Sequence, residues 1–180
     1  MKNWVRVLLL SLVAVPLLAG CSRDPKVRRQ KFFESGNAYF DRGKYREAAI
    51  EYLNAVQTDK TYAEAHYRLA QCYLHQEIWG NAYQELMTTV DLRPDNQKAQ
   101  LDLGNLLLSA RDFEKAQKRA EGVLGQDPNN VDAHILLANA YGALENIEES
   151  LREMQTAIQL APDQPRAYLN MAYLPFPCSA

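Results

Sequence analysis

The sequence predicts an all-α chain of stacked, antiparallel helix pairs. Three observations carry that expectation. From Arg29 the chain divides without insertion into four units of 34 residues, 29–62, 63–96, 97–130 and 131–164. Self-similarity at a period of roughly 20–50 residues marks a solenoid or array. Each unit holds two apolar-periodic stretches of about 14 residues, which suits amphipathic helices rather than strands. The units also end alike, at Thr58-Asp59-Lys60, Leu92-Arg93-Pro94-Asp95-Asn96, Gln126-Asp127-Pro128-Asn129-Asn130 and Leu160-Ala161-Pro162-Asp163. Such joints stop one helix and open the next.

The chain begins with Lys2 and Arg6, then an apolar run over 7–18 interrupted by Ser11 and Pro16. That run falls short of the roughly 20 residues a membrane-spanning helix needs. With its charged start, it reads as a secretory signal. Leu18-Ala19-Gly20-Cys21 resembles a bacterial lipobox. The resemblance implies cleavage before Cys21, a diacylglyceryl group on its sulfur and acylation of the freed amine. The competing reading is a plain signal peptide with a chance cysteine. One acyl chain holds only marginally, at about 0.8 kcal/mol per buried CH₂, so a stable anchor needs two or more. Ser22 follows Cys21, where an Asp would resemble an inner-membrane retention signal. The expected location is therefore the outer membrane, lipid-anchored and facing the periplasm. Residues 21–28 read as the lipidated cysteine and a basic tether, its charges continuing to Lys31 (Arg23, Lys26, Arg28, Arg29 and Lys31 against Asp24). The tether either lies on anionic headgroups or is a solvated spacer.

Recurring residues give the repeat units their character. Unit one has Phe32, Gly36, Tyr39, Ala48, Tyr52 and Ala55; unit two has Leu69, Ala70, Tyr73, Ala82, Leu86 and Pro94. Unit three has Leu103, Gly104, Leu107, Ala116, Ala120 and Pro128; unit four has Leu137, Ala138, Tyr141, Met154, Ala157 and Pro162. The pattern resembles the tetratricopeptide repeat, with its aromatic-x2-Leu-Gly-x2-Tyr, Ala-x3-Phe and Pro positions. Ser35, Lys60, His66 and Ser150 depart from it. The resemblance implies a right-handed superhelical solenoid of four repeats plus a truncated fifth. Small residues at Gly36, Ala70, Gly104 and Ala138 are expected to let each first helix pack closely on its second. The helices should break near Gly43, Glu77, Arg111 and Glu145. Pro165 opens a fifth first helix, with Ala167, Met171 and Ala172 in register, which Pro175-Phe176-Pro177-Cys178-Ser179-Ala180 abandons. Solenoids normally carry a polar cap. The array therefore reads either as part of a longer one or as ending in a face that a partner covers.

The same resemblance places positions 2, 5, 6, 9, 12 and 13 of each repeat on a concave groove. Position 9 is an amide throughout: Asn37, Gln71, Asn105 and Asn139. Each carboxamide offers two donors and an acceptor, so the row is suited to the backbone of an extended peptide, or else it is hydrated or braces neighbouring helices. Position 5 reads Phe33, Tyr67, Leu101 and Ile135, and position 12 reads Phe40, Leu74, Leu108 and Gly142. These would form apolar walls for a peptide or helix, or pack only between first helices. Lys98 matches one place in the clamp with which some of these repeats grip a C-terminal carboxylate. Phe33, Gln71 and Asp102 depart from that clamp.

Composition narrows the function further. With 20 Lys and Arg against 22 Asp and Glu, no basic surplus is present for nucleic acid. Three cysteines do not make a disulfide scaffold. No phosphate-cradling loop or nucleophile elbow occurs. His66 and His134 occupy the same position of two repeats and read as packing residues. Cys72 and His75 are close enough on one helix to share a metal, but no second pair supports them, and a buried thiol is the better reading. Cys178 is assigned no function. The expectation is thus a non-catalytic interaction scaffold without cofactor, metal or small-molecule substrate. Its ligand would be a peptide or protein, and its role the assembly of an envelope, export or exopolysaccharide system. Alternatives are a pilotin-like or outer-membrane assembly factor, and an adaptor that targets or regulates an envelope enzyme.

Overall fold

The computed structural model describes residues 24–163 and 165–172. Among these residues the chain forms nine α-helices and no strand. They are α1 (Pro25–Phe40), α2 (Tyr45–Thr58), α3 (Ala63–His75), α4 (Trp79–Leu92), α5 (Gln97–Ser109), α6 (Phe113–Leu124), α7 (Val131–Ala143), α8 (Ile147–Leu160) and α9 (Pro165–Ala172). First helices α3, α5, α7 and α9 start 34 residues apart, as do second helices α2, α4, α6 and α8. The result is an all-α solenoid of helix pairs. No helix among the described residues is long and apolar enough to cross a membrane. The expected signal segment, Cys21 and Cys178 lie outside the described residues.

The first helix departs from the expected boundary. It starts at Pro25, so Lys26, Arg28, Arg29 and Lys31 are helical and not part of a tether. The reason is local: the Asp24 carboxylate accepts from the Lys26 N–H at 2.8 Å, and Pro25 presets the first turn. Arg29 is further tied to Asp59 by an ion pair. Asn96 and Asn130 cap α5 and α7 in the same way, through Ala99 N–H and Ala133 N–H.

First helices α1, α3, α5 and α7 end in one motif. Gly43, Glu77, Arg111 and Glu145, 34 residues apart, have φ of 70°, 58°, 64° and 64°. The N–H that follows each donates back to the carbonyl of Tyr39, Tyr73, Leu107 or Tyr141. This six-to-one bond with a left-handed residue is the Schellman stop. Only Gly43 adopts it without a Cβ penalty.

The buried core runs both within repeats and between them. One buried cluster joins Tyr52 and Ala55 of α2 to Leu69 and Cys72 of α3. Another joins Tyr67 and Leu86 to Leu103, Leu107 and Ala140. A repeat that cannot bury its own face is stabilised by its neighbours. Gly36 behaves as expected: a Cβ there would stand 2.6 Å from the Tyr52 ring on the paired helix. Gly104 also faces its paired helix, with a Cβ there 3.4 Å from Arg119 Cβ, but its tightest neighbour is Leu136 Cδ2 of the next repeat, so its missing side chain admits a contact between repeats as well. Ser150, which replaces an alanine, is fully buried. Its hydroxyl is satisfied by the Ala138 carbonyl at 2.7 Å.

A polar brace recurs in three repeats. His66 sets Nδ1 2.5 Å from Glu85 Oε2 and Nε2 3.1 Å from the Lys60 carbonyl. His134 repeats this with Glu153 at 2.7 Å and the Pro128 carbonyl at 2.9 Å. In the third repeat Gln100 donates to the Pro94 carbonyl and accepts from Arg119, both at 3.2 Å. The brace links the preceding joint, the first helix and the second helix. Both histidines are buried, which gives their packing role a polar component.

Candidate functional site

First helices α3, α5 and α7 together line a concavity of about 230 Å³. Helical spacing brings Tyr67 and Gln71 of α3, Lys98, Leu101, Asp102 and Asn105 of α5, and Asp132 of α7 to its walls. Five of the residues expected in the groove therefore meet here: Tyr67, Gln71, Lys98, Leu101 and Asn105. Asp102, noted from sequence only as a departure from a clamp, is part of the site. Asp132 holds position 2 of its repeat, a position expected on the groove, though the sequence did not single it out.

The amide row is not uniform. Asn37 Oδ1 accepts from the Tyr52 hydroxyl at 2.7 Å. Gln71 donates to the Tyr67 hydroxyl at 3.1 Å and accepts from Arg68 at 3.4 Å. These two carboxamides brace the structure. Asn105 and Asn139 are half-buried, and their side chains make no hydrogen bond among the described residues. The apolar row needs a correction as well. Ile135 is fully buried with Ala138, Met154 and Ala157, and Met171 of α9 packs against that cluster. It is core, not groove. Phe33 is half-buried, with its ring 5.6 Å from that of Tyr52 and 5.1 Å from that of Tyr62.

Tyr67 is the hinge of the site. Its hydroxyl donates to Asp102 Oδ2 at 2.9 Å. Burial pushes the phenol well above its usual range, and the Asp102 charge adds to this. Burial likewise raises the Asp102 carboxyl; the Tyr67 hydrogen bond opposes it, the Asp132 charge reinforces it and Lys98 opposes it. Asp102 forms no ion pair among the described residues. Beside the groove, the Arg68 guanidinium lies 5.4 Å over the Phe40 ring. The His75 ring stacks on Tyr45 with centroids 3.9 Å apart and planes at 3°. Cys72 is fully buried, and burial pushes its thiol up to about 12 against the pull of Arg68. The Cys72–His75 spacing therefore leads to two different surroundings. Among the described residues no group of three or more His, Cys, Asp or Glu is placed to hold a metal.

Comparison with known proteins agrees with the geometry. Residues 107–172 match a family model described as tetratricopeptide repeat, and residues 36–76 match one described as TPR repeat. Human peptidyl-prolyl cis-trans isomerase FKBP4 is 29% identical over 120 residues, covering 58% of this chain and 26% of that protein. Mouse DnaJ homolog subfamily C member 7 is 24% identical over 146 residues, covering 72% of this chain and 30% of that protein. The chain thus spans between a quarter and a third of these relatives. Among solved structures, MamA from Desulfovibrio magneticus RS-1 aligns with a TM-score of 0.76 at 21% identity, covering 82% of this chain and 83% of that one. YrrB, described as a TPR protein with an unusual peptide-binding site, aligns at 0.74 and 24% identity, covering 80% and 74%. At these identities the likeness establishes the fold.

Proposed function

We propose that this chain, which belongs to the tetratricopeptide repeat family, holds a peptide segment of a partner protein in the groove of α3, α5 and α7. Its repeats make it a protein–protein interaction scaffold. The finer reading is a non-catalytic scaffold anchored through lipid on Cys21 at the outer membrane, facing the periplasm, and serving the assembly of an envelope, export or exopolysaccharide system. The observation that carries the groove is the shared concavity, where Lys98 and Asn105 stand beside Tyr67 and Leu101. An apolar wall beside a carboxamide such as Asn105, whose side chain makes no hydrogen bond among the described residues, is what an extended peptide needs. YrrB's described peptide site supports the same use of the fold. The lipobox-like Leu18-Ala19-Gly20-Cys21 supports the anchor, which would raise the local concentration of the scaffold at the membrane.

Crosslinking capture from native envelopes tests the groove. Residues 22–180 serve as bait, beside a bait carrying Lys98→Ala and Asn105→Ala with matched helical content. A partner captured by the first and lost with the second is expected; equal capture by both removes the groove reading. Cys21→Ser, followed by membrane fractionation and mass measurement of the N-terminal peptide, tests the anchor. An unlipidated, soluble wild-type chain would remove it.

A further inference from the structure

Charge is divided unevenly along the array. Residues 22–60 carry nine Lys and Arg against six Asp and Glu, whereas residues 61–180 carry nine against sixteen. In the first unit Lys26, Arg28, Lys31, Arg42, Lys44 and Arg46 are exposed and form no ion pair among the described residues. Arg29 is the exception, paired with Asp59. Two of the unit's acids are thus engaged, Asp59 with Arg29 and Asp24 in capping α1. A concavity of about 320 Å³ opens between α1 and α2 at this end. Arg28 and Phe32 line it from α1, and Asn54, Gln57 and Thr58 from α2. No acid lines it; Glu47 and Glu51 stand toward the start of α2. Thr58 Oγ1 is spent on the Asn54 carbonyl at 2.8 Å. The side chains of Arg28, Asn54 and Gln57 make no hydrogen bond among the described residues, so a guanidinium and two carboxamides are left to donate. Leu53 and Ile50 lie one and two turns back from Gln57 on α2 and are 38% and 60% exposed.

We infer that this outer surface of the first unit sits on a bilayer of anionic phospholipid, with a headgroup phosphate in the α1–α2 concavity and Ile50 and Leu53 dipped into the acyl boundary beside it. The inference deepens the anchored-scaffold reading, on which it rests for its setting. Phosphate oxygens accept from the Arg28 guanidinium and from the Asn54 and Gln57 amides, and bonds between ionised partners are the strong ones. The unpaired cations around the site are drawn to the negative potential of the lipid, an attraction that fades within a Debye length. Exposed aliphatic side chains flanked by cations suit a surface that lies in the membrane interface rather than in water. The acidic remainder of the chain is repelled by the same lipid. Charge asymmetry therefore turns the first unit toward the bilayer and carries the groove of α3, α5 and α7 away from it. Cys21 stands only seven residues before Arg28, so a lipid there keeps this surface within reach of the bilayer. That continuity favours lipid over an acidic protein as the partner.

Vesicle sedimentation tests this with residues 22–180, which retain every described residue and lack the apolar run of 7–18. The vesicles are phosphatidylcholine alone, or equimolar phosphatidylcholine and phosphatidylglycerol. Binding to the mixed vesicles is expected to be at least about tenfold tighter and to fall steeply with salt. Arg28→Gln/Gln57→Ala and Ile50→Ser/Leu53→Ser should each weaken it at least about fivefold with helical content unchanged, while Lys118→Gln, an exposed cation on α6, should leave it within about twofold. Equal binding to the two kinds of vesicle overturns the inference, and so does a loss with either double variant no larger than that with Lys118→Gln. Release from the vesicles by inorganic phosphate at matched ionic strength assigns the concavity to free phosphate and overturns it as well. Absence of vesicle binding, with a protein crosslinked by the wild type and lost with Arg28→Gln/Gln57→Ala, makes the surface a protein interface and overturns it too. The mass measurement at Cys21 separates the two readings. Vesicle binding with an unlipidated Cys21 removes the anchor and leaves the surface standing; a lipidated Cys21 without vesicle binding does the reverse.

Discussion

Substituting His66 tests whether the brace that repeats through the array is an energetic unit. A neutral imidazole has one N–H, whereas His66 faces two acceptors, Glu85 Oε2 at 2.5 Å and the Lys60 carbonyl at 3.1 Å. Only the imidazolium can donate to both. Its pKa reflects this competition: burial lowers it, and the Glu85 hydrogen bond, the Lys60 carbonyl and the Glu85 charge together raise it above the ordinary histidine value. The sign follows from linkage. With the folded pKa above the unfolded value of about 6.5, the stabilisation is fully present below about pH 6.5 and is lost as pH rises through the folded pKa.

A charge-assisted hydrogen bond contributes about 1.5–3 kcal/mol. The Glu85 side chain is 21% exposed, and partial hydration on losing its partner favours the lower end. His66→Gln should therefore destabilise by about 1.5–2 kcal/mol at pH 6, or about 3–8 °C in Tm for a chain of this size. The third repeat supplies the rescue, because there Gln100 and Arg119 make the same brace with reversed polarity. His66→Gln/Glu85→Arg should recover at least about 1.5 kcal/mol relative to the sum of the single changes. It should also remove the share of the stability loss between pH 6 and 8 that His66 provides. Urea melts followed by circular dichroism at both pH values measure this. Additive single and double variants, or an unchanged pH dependence in His66→Gln, would refute the reasoning.

Three further outcomes follow from the geometry. Glu77→Gly, Arg111→Gly and Glu145→Gly each relieve a left-handed residue and should stabilise by about 0.5–1 kcal/mol, whereas Glu77→Val should destabilise; thermal melts decide this, and a loss on introducing glycine counts against it. Gly36→Ala drives a Cβ to 2.6 Å from a fully buried Tyr52 ring, so overpacking should outweigh the gain in helix propensity and leave a net loss of about 1–2 kcal/mol in a urea melt. Gly104→Ala meets the end of the Leu136 side chain instead and should cost less; the reverse order would contradict the packing described. Asn37→Ala orphans the Tyr52 hydroxyl and should cost about 1–2 kcal/mol, while Asn105→Ala should leave the melting curve within about 0.5 kcal/mol of wild type.

The periodic features were legible in the sequence because each is a local rule that recurs along the array. Gly43, Glu77, Arg111 and Glu145 mark the helix breaks, and each takes the left-handed stop. Asn96 and Asn130 cap the helices that follow them. Contacts between elements were not legible in the same way. The register of a second helix against its first decides that Glu85 faces His66, and periodicity alone does not fix that register. The recurring spacing of 19 residues in His66–Glu85, Gln100–Arg119 and His134–Glu153 was the available signal. Asn37 looked like a ligand donor because nothing in the sequence shows that the Tyr52 hydroxyl reaches it. The α1 start lies four residues ahead of the repeat boundary at Arg29, because the 34-residue frame counts back only to Arg29 and does not reach the Asp24-Pro25 start signal.

Equivalent repeat positions have unequal chemistry, and the inequality gives the array a direction. Position 9 is spent internally in the first two repeats, on Tyr52 and on Tyr67 and Arg68, and makes no side-chain hydrogen bond among the described residues in the last two. Position 5 moves from a half-buried Phe33 to a fully buried Ile135. Aromatic contacts cluster at the N-terminal end, where Phe33, Phe40, Tyr45, Tyr52, Tyr62 and His75 pack on one another. At the aromatic end, polar groups are satisfied internally and rings pack on one another. The concavity proposed as the peptide site lies beyond that end, from Tyr67 to Asp132, and the side-chain amides of Asn105 and Asn139 make no hydrogen bond among the described residues. On the proposed reading, a solenoid built from one repeated unit acquires a binding segment by leaving hydrogen-bonding capacity unspent in some of its repeats and consuming it in the others.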